Sequence, residues 1–266
     1  TNPIMKRRNF LTTAGLSAFL PFSSYAKSAK KAEEQQYVEL IKYHLPLGNN
    51  KNLVEQFYQD VAIPSLNDMG IGPIGVFRTK YGMNKPTLYV MIQHKDLESF
   101  ASLSDKLMDN SAFWNEGASF LNTELSDPKY IRIEKILYKN FKYLPIIEVQ
   151  EQKMDNSGRI YEMRIYESHS LKAAKKKIEM FNEGGEIEIF KKTGLNPVFF
   201  GETLAGPMMP NLTYMLVFDD MADRDKNWKV FVNSPEWKEL SGDIQYKDTV
   251  SNISDIILSP ASCSQI

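Results

Sequence analysis

The chain has 266 residues, 32 of them Lys or Arg and 33 Asp or Glu, so its formal net charge is −1. That balance excludes a polybasic nucleic-acid binder, and no run of about 18 apolar residues offers a membrane-spanning helix. A single cysteine, Cys263, excludes an internal disulfide framework and a thiolate metal cluster.

Residues 1–26 read as a signal peptide. Lys6, Arg7 and Arg8 form a positive start, Leu11 to Phe22 a short apolar run, and Ser24 and Ala26 a small-residue cleavage site before Lys27. Arg7-Arg8-Asn9-Phe10-Leu11 resembles the twin-arginine export signal, with Lys6 where that signal usually has Ser or Thr; an ordinary secretory signal is the alternative. The expectation is a periplasmic or secreted protein with no stable membrane insertion and no nucleic-acid partner. Its mature net charge would be −4.

After a linker over 27–36, the pattern falls into two units. Tyr37 to Leu45 alternates as a strand. Asn52 to Met69 has helical spacing, with Pro64 predicting a kink or an early end and Gly70 a stop. Strands follow at Ile71 to Lys80 and Thr87 to Gln93, the second apolar on both faces. Asp96 caps a helix, Ser111 caps another segment, and Tyr130 to Tyr138 closes the unit. A linker over 140–158 ends in Asp155-Asn156-Ser157-Gly158. The order then recurs: a strand at Arg159 to Glu167, a helix capped by Ser170, a break at Gly184-Gly185 and a stop at Gly194. Strands at Pro197 to Leu204 and Leu212 to Asp219 precede helices from Met221 and Ser234-Pro235, and Ile253 to Leu258 is the last strand. Residues 259–266 read as a flexible tail.

The two units are copies. Asn110-Ser111-Ala112-Phe113-Trp114 matches Asn233-Ser234-Pro235-Glu236-Trp237, and Gly70-Ile71-Gly72-Pro73-Ile74 matches Gly194-Leu195-Asn196-Pro197-Val198. Glu39 and Tyr43 match Glu162 and Tyr166, and Tyr89 to Ile92 is aligned with Tyr214 to Val217. Each βαββαβ unit makes an antiparallel sheet with both helices on one face. The predicted fold is therefore α+β, with tandem ferredoxin-like repeats (37–139 and 159–258) whose sheets pack face to face as an intramolecular pseudo-dimeric α+β barrel. One linker keeps the halves at high local concentration.

Residues 159–258 resemble a NIPSNAP domain of the dimeric α+β barrel superfamily. The residues that carry this are Tyr161-Glu162-Met163-Arg164-Ile165-Tyr166, Gly194-Leu195-Asn196-Pro197-Val198, Leu212-Thr213-Tyr214-Met215-Leu216 with Phe218-Asp219-Asp220, and Asn233-Ser234-Pro235-Glu236-Trp237. The first unit resembles a degenerate copy, with Ile41 at the place of Arg164. The resemblance implies a fold and a ligand cavity, not a reaction.

Alternation puts Tyr161, Met163 and Ile165 on one face of their strand and Glu162, Arg164 and Tyr166 on the other. The apolar set is expected to face the helices. The polar set, with Glu39 and Tyr43 of the first unit, is expected to line the space between the sheets and hold a small, partly apolar ligand. His169 joins this candidate set. A hydrogen-bond network that merely pins the sheets together is the structural alternative. His44, His94 and His169 lack metal-ligand spacing, so no metal or cofactor is expected, and His169 is better placed for capping before Ser170. No dinucleotide fingerprint, phosphate-binding loop or nucleophile elbow is present. The expected function is ligand binding; a cofactor-free monooxygenase- or isomerase-like enzyme, or a purely structural protein, is the alternative. Self-association as a homodimer stays open.

Overall fold

Each half of the chain begins on a strand that is apolar on one face and mixed on the other, and both faces are covered. The computed structural model describes residues 34–47, 51–82, 86–150 and 158–266. The signal-peptide reading lies outside these residues. In the first repeat β1 (Tyr37–His44) leads to α1 (Lys51–Phe57), a π-helical turn (Tyr58–Ala62) and α2 (Ile63–Asp68). Helical backbone runs without a break through α1, the π-helical turn and α2, and Pro64 stands in the first turn of α2, directly after the π-helical turn. β2 (Ile74–Tyr81), β3 (Thr87–His94), α3 (Leu97–Met108), α4 (Ser111–Glu116), α5 (Ala118–Leu121) and β4 (Arg132–Asn140) complete the repeat. Asp96 caps α3 as expected, but Asn110 rather than Ser111 caps α4, its Oδ1 accepting from the Phe113 N–H at 3.1 Å.

The second repeat runs β5 (Ile160–Glu167), α6 (Leu171–Asn182), α7 (Glu186–Lys192), β6 (Asn196–Ala205), β7 (Asn211–Phe218), α8 (Met221–Asn233), α9 (Pro235–Gly242) and β8 (Asn252–Pro260). The eight strands form one closed antiparallel barrel in the order β1-β3-β2-β8-β5-β7-β6-β4. The two sheets are thus joined edge to edge at both seams, β2 with β8 and β4 with β6, and no edge is left unpaired.

Eight strands enclose a space that side chains can fill. Val38, Leu40, Phe77, Tyr89, Met91, Tyr138, Tyr161, Met163, Phe199, Met215, Val217 and Leu258 fill it, all shielded from solvent. The rings of Phe77 and Tyr161 meet at 4.7 Å and those of Tyr138 and Phe199 at 5.6 Å. This reverses the expected facing. Tyr161 and Met163 point into the barrel, whereas Glu162, Arg164 and Tyr166 point outward beneath the helices. A closed lumen leaves a charged group few partners, while the helical layer supplies polar ones.

The strand pairing also corrects the alignment of the copies. Leu40 pairs with Met91 and Met163 with Met215, so Tyr89 corresponds to Thr213 and Val90 to Tyr214. The one-residue slip moves every side chain to the other face: Tyr89 lies inside the barrel and Tyr214 under the helices.

The segments after β4 and β8 play one part. The Ile147 N–H, in the inter-repeat linker, donates to Gln93 Oε1, and the Glu148 N–H donates to the Val198 carbonyl at 2.9 Å. The Gln265 N–H donates to the Ile74 carbonyl at 2.8 Å, and Gln265 Oε1 accepts from the Ile74 N–H at 2.9 Å. Ile147 and Ile266 both join the barrel interior. The tail expected to be flexible is therefore docked, because its apolar end finds the open mouth of the barrel.

Candidate functional site between sheet and helices

The polar strand residues meet the helices in two different ways. In the second repeat, Glu162 is fully buried. Arg224 Nη2 of α8 donates to its Oε1 at 2.5 Å, and Trp228 Nε1, one turn further on, donates to its Oε2 at 2.6 Å. Arg164 lies over the Trp228 ring at 4.6 Å and the Tyr166 ring at 5.5 Å. The Tyr166 and Tyr214 hydroxyls share a hydrogen bond of 2.9 Å. Beside them, Lys177 Nζ donates to Glu186 Oε2 at 2.7 Å, with both side chains buried. Burial pushes the Glu186 carboxyl above its ordinary range, and Lys177 only partly opposes it. Phe181, Phe190, Phe231 and Trp237 fill the remaining space; Phe190 meets Phe231 at 4.7 Å and Phe231 meets Trp237 at 4.5 Å.

In the first repeat, Glu39 takes the place of Glu162. His94 Nε2 lies 3.1 Å from its Oε2, and Lys135 Nζ of β4 lies 2.7 Å from its Oε1. Burial alone would raise this carboxyl; the His94 hydrogen bond and the Lys135 charge outweigh it and hold it below the usual range. Tyr43 and Tyr58 share a hydroxyl hydrogen bond of 2.9 Å. Burial raises both phenols far above their ordinary value and so keeps them protonated.

Above these groups the first repeat is open. A cleft of about 380 Å³ runs between the outer sheet face and α1–α5. Tyr43, Phe57, Tyr58, Phe113, Phe120 and Tyr130 form its aromatic walls, and Glu39 and Lys135 form a polar end. The rings of Phe57 and Phe120 stack at 4.2 Å. At the corresponding places of the second repeat Arg164 replaces Ile41 and Tyr214 replaces Val90, and these two side chains pack against Trp228 and Tyr166.

The six candidate residues thus do not converge. Glu39 and Tyr43 line the cleft, Glu162, Arg164 and Tyr166 lie under the second helical layer, and His169 is exposed beside the capping Ser170. The histidines lie apart: His44 pairs with Glu134 at 2.9 Å at the opposite end of β1 from the partner of His94. Among the described residues no three His, Cys, Asp or Glu side chains are grouped to hold a metal ion, and no helix is long and apolar enough to cross a membrane. Sequence reasoning missed Arg224, Trp228 and Lys135. Arg224 and Trp228 stand four apart on a helix, which puts them on one face, but no sequence pattern fixes which strand that face meets.

Residues 161–265, the second repeat, match the NIPSNAP family model. No curated protein matches the chain. In fold the chain is similar to a protein assigned as a monooxygenase from Lactobacillus acidophilus NCFM, at 11% identity and a TM-score of 0.57, covering 85% of this chain and 94% of that one. A protein assigned in the same way from Fusobacterium nucleatum subsp. nucleatum gives 11% identity and a TM-score of 0.56, with 85% and 93% covered. An uncharacterized NIPSNAP-like domain protein from Burkholderia xenovorans is 24% identical over 40% of this chain and 87% of its own, at a TM-score of 0.35. The whole-chain likenesses show the dimeric α+β barrel fold, contained here in one polypeptide.

Proposed function

We propose that this tandem barrel is an exported binding protein for a small, mainly apolar, ring-bearing ligand, held in the first-repeat cleft and not in the barrel lumen. The observation that carries the reading is the cleft over Tyr43 and Tyr58, lined by Ile41 where the second repeat places Arg164. The cleft is apolar along its walls and polar at one end, the pattern of a small-molecule site. Two hydroxyls share one hydrogen bond at Tyr43 and Tyr58, so one phenolic proton remains to be donated to a ligand oxygen. Lys135, half-exposed at the polar end, favours an electron-rich group there.

Binding without turnover is favoured because the Glu39 carboxylate is held on both oxygens and both phenols are kept protonated, which leaves no free base in the cleft. The monooxygenase assignments of the two barrel relatives concern those proteins. For this chain, turnover would rest on likeness of fold alone.

Titration with the dye 8-anilinonaphthalene-1-sulfonate tests the site. Wild type is expected to give saturable dye fluorescence, and Ile41→Arg or Ala62→Phe, which fill the cleft, to abolish it while near-ultraviolet circular dichroism is retained. Equal dye binding by folded wild type and both variants would overturn the proposal. Export is tested by N-terminal sequencing of the protein from its natural source: Lys27 is the expected first residue, and a start at Met5 contradicts it.

A further inference from the structure

The second repeat holds a guanidinium with no direct polar partner among the described residues. Among the described residues, Arg164 makes no hydrogen bond and no ion pair, and its Nε is buried without an acceptor. Its neighbouring carboxylates are committed elsewhere: Glu162 to Arg224 and Trp228, Glu186 to Lys177. Asp255 stands directly across from Arg164 in the β5–β8 pairing, yet it is exposed and lies beyond ion-pair distance. Two aromatic rings hold the guanidinium in place. Arg164 itself is half-buried, and Nε is its one nitrogen among the solvent-shielded atoms without a partner, which leaves Nη1 and Nη2 to meet a ligand.

A buried guanidinium N–H without an acceptor costs roughly 1–3 kcal/mol or more. An arrangement that holds such a group rigid between rings suits a planar partner that accepts two parallel hydrogen bonds. We infer that Arg164, stacked on Trp228 and Tyr166, forms a second binding site, separate from the first-repeat cleft, for a small carboxylate. Trp228 couples the site to Glu162, because its ring carries Arg164 while its N–H holds the Glu162 carboxylate. Ile41 stands at the same place in the first repeat, so the site exists once per chain.

Tryptophan fluorescence of the full-length protein, titrated with acetate, benzoate, inorganic phosphate and chloride at constant ionic strength, tests this. A saturable change with benzoate and acetate is expected, with chloride giving none. A response to phosphate as strong as to the carboxylates would overturn the carboxylate assignment. Arg164→Lys keeps the charge but loses the fork and is expected to weaken binding about tenfold. Asp255→Asn, at an exposed position, removes a competing charge and is expected to tighten it. If Arg164→Lys fails to fold, the Asp255→Asn arm still decides. No saturable response in wild type, or affinities unchanged in both variants, would overturn the site.

Discussion

Gly75 in β2 and Phe199 in β6 occupy equivalent places in the two repeats, pairing with Met91 and Met215 respectively. Two residues on, the sizes are exchanged: Phe77 in β2 corresponds to Gly201 in β6. Each phenyl ring turns back over the glycine of its own strand. A Cβ on Gly75 would stand 2.5 Å from the Phe77 ring, and one on Gly201 would stand 2.7 Å from Cβ of Tyr138 and 3.3 Å from the Phe199 ring. The lumen is filled because large and small residues alternate in opposite order on the two seam strands.

Adding one carbon at either glycine should therefore overpack the barrel. Gly75→Ala and Gly201→Ala are each expected to lower stability by about 1–3 kcal/mol in urea unfolding. Gly242→Ala, where a Cβ meets nothing within 4 Å at the end of α9, is expected to be neutral or slightly stabilising. Equal effects at all three positions would contradict a close-packed lumen.

The mouth of the barrel gives a second test. Ile147 and Ile266 reach it from the linker and from the tail, and both are buried. Ile147→Ala and Ile266→Ala should each cost about 2–5 kcal/mol. A loss below about 0.5 kcal/mol for Ile266→Ala, as for a surface change, would mean that the tail does not seal the core.

The buried Lys177–Glu186 pair should behave unlike a surface salt bridge. Lys177→Met leaves the Glu186 carboxylate buried alone, and a loss of about 3–5 kcal/mol at neutral pH is expected. Replacing both, as Lys177→Met with Glu186→Leu, should restore wild-type stability or exceed it, since the pair sits among Tyr166, Phe181 and Trp237 rings that favour apolar neighbours. A double-mutant cycle in urea reads the coupling. A double variant no more stable than the worse single would disprove the account.

The duplication, the element order and the helix caps at Asp96, Ser170 and Ser234 were legible in the sequence because each is a local pattern: collinear motifs, a period, or a capping residue three positions before its N–H. The facing of β5 was not. Tyr161-Glu162-Met163-Arg164 alternates in either reading, and which set enters the lumen depends on closure of both seams, a non-local event. Tyr89 and Tyr214 align as equivalents in sequence because each stands in an apolar run; only hydrogen-bond register separates them. The tail looked polar through Ser262 and Ser264, yet the Ser264 hydroxyl accepts from the Val76 N–H at 3.0 Å, so its polarity serves docking. The site residues Arg224 and Trp228 depend on where a helix lies across a sheet, which spacing along the chain does not encode.

Glu39 carries a prediction in pH. Its carboxyl is buried, which alone would raise its value, but the His94 hydrogen bond and the Lys135 charge prevail and lower it. A carboxyl whose folded value lies below its unfolded value adds stability above the unfolded value, and that stability is lost as pH falls through the folded one. Wild type should thus exceed Glu39→Gln by about 1.5–3 kcal/mol at pH 7, the range for a hydrogen-bonded charge. The advantage should shrink below about pH 4, where unfolded carboxyls protonate. Lys135→Met removes one of the opposing groups, raises the folded value toward the unfolded one, and should make the acid-dependent part of the advantage smaller. Urea unfolding of the three proteins across the acid range decides it: a wild-type advantage that stays constant from neutral pH to strong acid means that Glu39 is not the titrating group.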